Sequence, residues 1–360
     1  MKVCIVGAGA IGSLFAAHLA KVAEVSVLTR RDDHARALNE EGLRVTGRHD
    51  FTARLMATTA AGDLADFDLG IIATKATGLE AAAASLERRF PDATIMTVQN
   101  GLGAEEVVRR HGDWPLVSAV TFMSGTKHSD THVEYILDTP TWLGPYEGTS
   151  FERVQEIAAL LAESGLQAEA LPDLRPAQWS KLIFNATVNG VSALTGLPHD
   201  EHFAAERDDS DLGHLVHGLV EEGRRVAAAA GVALRDDPWE MNVHATKRGS
   251  AHYPSMLEDV EARRPTEVEL INGALVREAE RCGVDAPLHT ALYRLVKARE
   301  AAYSLRSALS AVAQSGRCSQ RTSRSWTTSR SGRTTRRRST STPSTSTASV
   351  SAARAMWSAG

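Results

Sequence analysis

The chain begins MKVCIVGAGAIG, an apolar run that meets glycines at positions 7, 9 and 12 and then passes into a stretch of helical periodicity from Ile11 to Lys21. A strand that must turn into a helix within so few residues has little freedom. Gly7 permits the tight turn, Gly9 lets another group approach the backbone, and Gly12 lets the helix pack on the strand. The unpaired N–H groups at the start of that helix form a ready anion site. Gly7, Ala8, Gly9, Ala10, Ile11 and Gly12 are therefore candidate contacts to a dinucleotide pyrophosphate, on an α/β Rossmann domain.

The pattern downstream supports that reading. EVSVLTR is a second strand, short strand-like pieces fall at 43–46 and 51–57, LGIIATK (69–75) is another strand and LEAAAASLERRF (79–90) another helix. TIMTVQNG, LVSAVTFM, VEYILD and TWLG add further strands. Strands alternating with helices imply a mainly parallel, doubly wound sheet. From Leu174 onward the period becomes helical throughout, over 176–194, 212–230, 254–282 and 287–302, with Pro265 marking a break in the third. The expected organisation is a Rossmann NADP-binding domain over 1–172, an all-helical substrate and catalytic domain over 173–303, and a basic tail over 304–360.

Residues 301–360 hold ten of the 40 Lys and Arg residues and none of the 44 Asp and Glu. Twenty-five of those 60 residues are Ser or Thr, a composition that cannot bury enough apolar surface to fold, so the tail is expected to be disordered. The net charge of −4 thus averages a tail of +10 with 300 residues of 30 basic and 44 acidic side chains. A basic tail of this kind could attract nucleic acid or acidic lipid electrostatically, but a dispensable tail is the expectation and nucleic-acid binding is not expected. Three separated cysteines, Cys4, Cys282 and Cys318, exclude a disulfide scaffold. With no apolar run long enough to span a bilayer and no cleavable signal, a cytoplasmic protein without membrane contact is expected.

The end of the second strand bears on which dinucleotide is bound. An acidic residue there selects NAD by binding the ribose hydroxyls. This chain has Leu28-Thr29-Arg30-Arg31, and guanidinium groups suit a 2′-phosphate. NADPH/NADP+ is the expected cofactor, with Arg30 its candidate ligand, and Asp32 and Asp33 are expected to cap the next helix.

In the helical half, Lys181, Asn185 and Asn189 stand four residues apart. Four residues turn a helix by about 400°, so the three drift by only about 80° and share a face. They are either structural groups bonding across a domain seam or the polar face of a site. Asn100, in the QNG turn at a strand end, and Lys75, also at a strand end, lie where ligands sit in such sheets.

These stretches resemble the ketopantoate reductases. GAGAIG, ATKAT (73–77), QNGLG (99–103), the W-S-K-L-x-x-N-x-x-x-N stretch at 179–189, and SMLED (255–259) with RPTE (264–267) and ING (271–273) occur in that family's order, from Met1 to about Glu300. The resemblance implies NADPH-dependent reduction of 2-dehydropantoate to pantoate, a step towards coenzyme A. It implies Lys181 as general acid, Glu267 as a residue touching bound ligands and orienting Lys181, and Asn185, Asn189 and Ser255 as substrate ligands. Asn100 would lie between nicotinamide and substrate, while Lys75 and Gly125 would contact the cofactor.

Two positions depart from the family pattern: His199 stands where an asparagine is expected, and Pro254 precedes Ser255 in place of a serine. Both bear on substrate fit. The run His199-Asp200-Glu201-His202 reads as a solvated loop and no metal site is expected. Two rival functions remain open, a paralogue reducing another 2-keto acid or carbonyl and a non-catalytic NADP-binding sensor. An apolar helical face would suit a homodimer.

Overall fold

Strand β1 (Lys2–Val6) is buried except at its first residue, and its alternating side chains feed two different cores. Val3 and Ile5 join one apolar cluster while Cys4 and Val6 join another. A strand covered on both faces requires helices on both sides, which is the physical basis of a doubly wound sheet. The computed structural model describes residues 1–247 and 253–303, all within one compact unit, Met1–Arg306. The expected disordered tail over 304–360 lies outside the described residues.

The elements follow in order as α1 (Ala10–Leu19), β2 (Glu24–Leu28), α2 (Asp32–Glu41), β3 (Leu43–Gly47), β4 (Phe51–Ala53), β5 (Met56–Thr58), β6 (Leu69–Ile72) and α3 (Leu79–Leu86). Next come β7 (Thr94–Thr97), α4 (Ala104–Arg109), β8 (Leu116–Thr121), β9 (Ser124–Ser129), β10 (His132–Leu137), β11 (Thr141–Tyr146), α5 (Phe151–Glu163) and β12 (Ala168–Ala170). The large sheet has the order β12-β11-β8-β7-β6-β1-β2-β5. Its strands from β8 to β5 are parallel to one another, and β11 runs antiparallel to β8. A second sheet, β4-β3-β10-β9, carries β9 past α1.

The helical part comprises α6 (Arg175–Thr195), α7 (Asp211–Ala229), α8 (Pro238–Thr246), α9 (Ser255–Glu261), α10 (Asn272–Cys282) and a helical run over 287–303. Helix α6 is the hub: Leu182, Ile183 and Ala186 enter a cluster with Val226 of α7, Met256 of α9 and Leu275 of α10. It starts with Pro176 in its first turn and ends on Gly196 in the left-handed region, the usual start and stop signals. Among the described residues no helix is long and apolar enough to cross a membrane.

The α/β and helical parts match the sequence reading, with local differences. The piece at 51–57 is two strands, β4 and β5, serving different sheets, a switch that period-two alternation cannot show. The 254–282 stretch is two helices, α9 and α10, divided around Pro265 as expected, with Arg263 at φ 53 between them. Strand β9 was not expected, because SGTKHS is polar and half exposed. Helix α8 was also missed, although Asp237 accepting from the Trp239 N–H, followed by Pro238, is a helix-start signal. Asp32 and Asp33 occupy the first turn of α2 and do not cap it; the cap position is Arg31. There the carboxylates still favour the positive end of the helix dipole.

Glu222 of α7 is buried, and its two carboxylate oxygens accept the N–H groups of Leu288 (2.9 Å) and His289 (3.0 Å) at the start of the 287–303 helix. Truncating it leaves two donors dry. Glu222→Ala is expected to cost about 2 kcal/mol, more than Glu222→Gln. Equal stability of wild type and Glu222→Ala in denaturant melts would refute that role.

Candidate active site

Where β1 gives way to α1, Gly7 has φ 100 and a Cβ there would stand 2.7 Å from the Thr74 side chain. A Cβ on Gly12 would lie 2.0 Å from the Gly7 carbonyl oxygen, so the loop and helix need both glycines to close. Gly9 is different: a Cβ there would meet nothing within 4 Å. That open face lies at the N-terminal end of α1, for which Gly9 is the cap residue. Ala8, Ala10 and Ile11 share this turn. The loop therefore has the form that a pyrophosphate requires.

Arg30 and Arg31 both follow β2 but differ in state. Arg31 is paired with Asp33 (3.0 Å) and with Asp130. Arg30 is exposed and makes no ion pair among the described residues. Gly125, in β9, pairs with Tyr135; a Cβ there would stand 2.6 Å from the Glu134 carbonyl oxygen, so the small sheet alone accounts for glycine.

The strand-end loops after β6 and β7 meet the helical part directly. Leu102 N–H donates to the Leu270 carbonyl (2.9 Å), and Gly101 fits because any Cβ would lie 1.8 Å from that oxygen. Glu267, buried, accepts from the Ala76 N–H (2.9 Å) and from Asn100 Nδ2 (3.1 Å). Asn100 Oδ1 in turn accepts from Lys181 Nζ (2.8 Å), and Lys181 also donates to the Thr121 carbonyl at the end of β8. A carboxylate can only accept, so the Asn100 amide is held with its nitrogen toward Glu267 and its oxygen toward Lys181. Lys75 Nζ bonds both oxygens of the buried Asp259 at 2.6 Å, which also takes Arg264 Nε at 2.9 Å.

Burial pushes the Lys181 ammonium down to about 8, against a smaller opposing pull from Glu267. Its Nζ lies 5.0 Å from the centre of the Phe122 ring. Phe122 contacts Trp142 and Phe184 with ring centres 6.1 and 6.2 Å apart, and Phe184 contacts His199 at 5.9 Å. Asn185 and Asn189 are 8% and 6% exposed, and neither amide is bonded to protein among the described residues. These buried amides on the Lys181 face are available to a polar ligand. Ser255 is the half-buried first residue of α9.

Lys181, Asn100 and Glu267 are thus joined in one chain of hydrogen bonds, and Lys75 is joined to Asp259. His199 is a correction: it is buried at 2% exposure, bonded to Asn242 Oδ1 at 2.8 Å, and not part of a solvated loop. Its aromatic neighbours Phe184 and Phe203 exclude water from it. The Thr121 carbonyl, Phe122 and Asp259 were missed as site groups. Phe122 directly follows β8, closer to its strand end than Asn100 is to β7, so the strand-end rule could have found it.

Two family profiles match the chain. "Ketopantoate reductase PanE/ApbA" covers residues 3–148, and "Ketopantoate reductase PanE/ApbA C terminal" covers 173–300. The 2-dehydropantoate 2-reductase of Pyrococcus horikoshii is 30% identical over 300 residues, which is 83% of this chain and 98% of the relative. That of Archaeoglobus fulgidus is 29% identical over 299 residues, 83% and 98% of the two chains. The crystal structure of a PanE/ApbA family ketopantoate reductase from Ralstonia eutropha superposes with TM-score 0.75 at 26% identity, covering 83% of this chain and 98% of the other. A D-mandelate dehydrogenase with NADH and anilino(oxo)acetate superposes with TM-score 0.73 at 26% identity, over 84% and 99%.

The lowered Lys181 pKa sets a stability trend. Between about pH 8 and 10.5 the folded amine is neutral while the unfolded one is still protonated, so the unfolded chain holds more protons and stability rises with pH. Below about 8 the full cost of burying the ammonium is present. Relative to wild type, Lys181→Met is expected to lose of order 1–3 kcal/mol of stability as pH rises through that window. The hydrogen bonds it forfeits displace the curve without tilting it. Urea melts giving parallel pH curves for the two proteins would contradict the assignment.

Proposed function

The chain belongs to the ketopantoate reductase family, and on that premise we propose that it reduces ketopantoate to pantoate with NADPH, residues 1–172 holding the dinucleotide and 173–303 the keto acid. The observation that carries this reading is the Lys181–Asn100–Glu267 chain, which sets an ammonium of lowered pKa at the strand ends beside two unbonded buried amides. The residues present fit a dinucleotide: the open face at Gly9 admits a pyrophosphate, and Arg30 is an uncommitted cation at the end of β2. Gly7 to Gly12 would hold the pyrophosphate and Arg30 the 2′-phosphate, with Lys75, Asn100, Gly125 and Glu267 as further contacts. A reduced nicotinamide, when bound, supplies hydride to a carbonyl carbon.

The rest is work for side chains. Charge growing on the carbonyl oxygen needs a proton donor, and Lys181 Nζ is the acid placed to stabilise and protonate it. With a pKa of about 8 it is protonated at neutral pH yet gives up its proton more readily than a solvated lysine. Asn100 fixes the ammonium and is itself fixed by Glu267, so Glu267 orients Lys181 through the amide. Asn185, Asn189 and Ser255 offer neutral donors to the carboxylate and hydroxyl groups of the substrate.

A second reading is favoured by the aromatic row Trp142–Phe122–Phe184–His199, which comes within 5.0 Å of Lys181 Nζ at Phe122. Such a wall suits a 2-keto acid with an aryl side chain, in line with the similarity to the D-mandelate dehydrogenase. The two substrates separate in one assay of NADPH consumption with ketopantoate and phenylglyoxylate. Turnover of ketopantoate is expected, and turnover of phenylglyoxylate alone would replace the first reading by the second. Lys181→Ala is expected to lower kcat about 10²–10⁴-fold while leaving the Kd for NADPH within about twofold. In the wild type, kcat is expected to fall as pH rises above about 8. An unchanged kcat in the variant would sink the general-acid role.

A further inference from the structure

The turn between β9 and β10 reaches the dinucleotide edge from the small sheet. Lys127 of β9 donates from Nζ to the Ala8 carbonyl of the glycine loop at 2.9 Å, so this strand touches the loop directly. Two residues past the end of β9 comes Thr131; between them stands Asp130, whose carboxylate gathers cations. Arg31, from the end of β2, donates Nη2 to Asp130 Oδ2, and Lys127 Nζ lies 3.2 Å from Oδ1. Buried His34, in the first turn of α2, places Nδ1 3.8 Å from the same oxygen and Nε2 3.0 Å from the Asp130 carbonyl. The Lys127 ammonium and His34 Nε2 are 3.2 Å apart.

Three basic side chains from β2, α2 and β9 therefore converge on one anion, and that anion belongs to the protein. The end of β2 is where a dinucleotide presents either a ribose hydroxyl or a 2′-phosphate. A carboxylate already holding Arg31 and Lys127 would repel a phosphate brought to those cations and would have to give them up. A 2′-hydroxyl carries no charge and meets no such competition.

We propose that Asp130 is a specificity-determining residue, an internal anion that competes with the dinucleotide's 2′-phosphate for Arg31 and Lys127 and so weakens the preference for NADP over NAD. Arg30, which has no carboxylate partner, carries most of the 2′-phosphate recognition in the wild type. The inference rests on the dinucleotide reading of the glycine loop, deepens it, and concerns binding rather than turnover.

The test is calorimetric titration of the full-length wild type and of Asp130→Asn with NADP+ and, separately, NAD+. Asp130→Asn is expected to tighten NADP+ about tenfold and to leave NAD+ within about twofold. In an Arg31→Ala background the gain from Asp130→Asn should shrink to less than about threefold, because the cation it releases is missing. Arg30→Ala should weaken NADP+ by more than about tenfold and Arg31→Ala by less than about threefold, a comparison that stands even if Asp130→Asn fails to fold. Equal changes for the two dinucleotides, or a loss confined to NAD+, would overturn the inference, the latter by making Asp130 a ribose ligand. Binding of neither dinucleotide to wild type would overturn the dinucleotide reading itself.

Discussion

An ammonium group drawn out of water must be met by acceptors, and the seam of this molecule is arranged around that requirement. Lys181 sits on a long helix whose other faces are apolar core, so its acceptors come from elsewhere: the Thr121 carbonyl at the end of β8 and Asn100 after β7. Asn100 can accept in a fixed orientation only because Glu267 takes its amide nitrogen, and Glu267 is itself anchored by the Ala76 N–H after β6. The ends of three adjacent parallel strands, helix α6 and the turn before α10 are therefore registered against each other by one polar chain. Parallel strands bring their C-terminal ends to the same edge, which is why three loops far apart in sequence can serve one lysine.

That seam combines two kinds of contact with different tolerances. The backbone contact between Gly101, Leu102 and Leu270 is steric, and any side chain at 101 would collide with carbonyl oxygen. The pairing of Lys75 and Arg264 with Asp259 is electrostatic, around a carboxylate only 1% exposed. Removing one partner of such a group leaves charge stranded, whereas the intact set gives modest net stability. Apolar packing accompanies these contacts, with Val120 and Trp142 of the sheet set against Leu174 and Ala177.

The sequence made legible what is local or periodic. Gly7, Gly9 and Gly12 declare the loop because their spacing encodes one turn, and the four-residue spacing of Lys181, Asn185 and Asn189 declares one face of α6. The departures from expectation are long-range. Nothing near Arg31 indicates that Asp130, 99 residues on, engages it. Nothing near Lys75 indicates that Asp259, 184 residues on, does the same. Strand β9 was invisible for a related reason: its residues are mostly polar and none is buried, so no hydrophobic alternation marks them. His199 misled in the opposite direction, since a polar sequence neighbourhood hid a ring packed between Phe184 and Phe203.

The same distinction governs how the two ligand regions could diverge in evolution or design. The Lys181–Asn100–Glu267 chain is tightly shared: Asn100 bonds both of the others, so its substitution disturbs all three. The aromatic wall and the β9–β10 turn are open, in the sense that Phe122, Phe184 and Asp130 touch that chain at its margin or not at all. On the proposed reading, changing side-chain volume at Phe122 or Phe184 would alter which keto acid fits without moving the ammonium. On the proposal for Asp130, changing charge at the turn would alter which dinucleotide is favoured without touching the substrate side. Under the proposed reduction, a fold that separates the proposed proton donor from both adjustable margins would keep one chemistry while substrate and cofactor preferences vary independently.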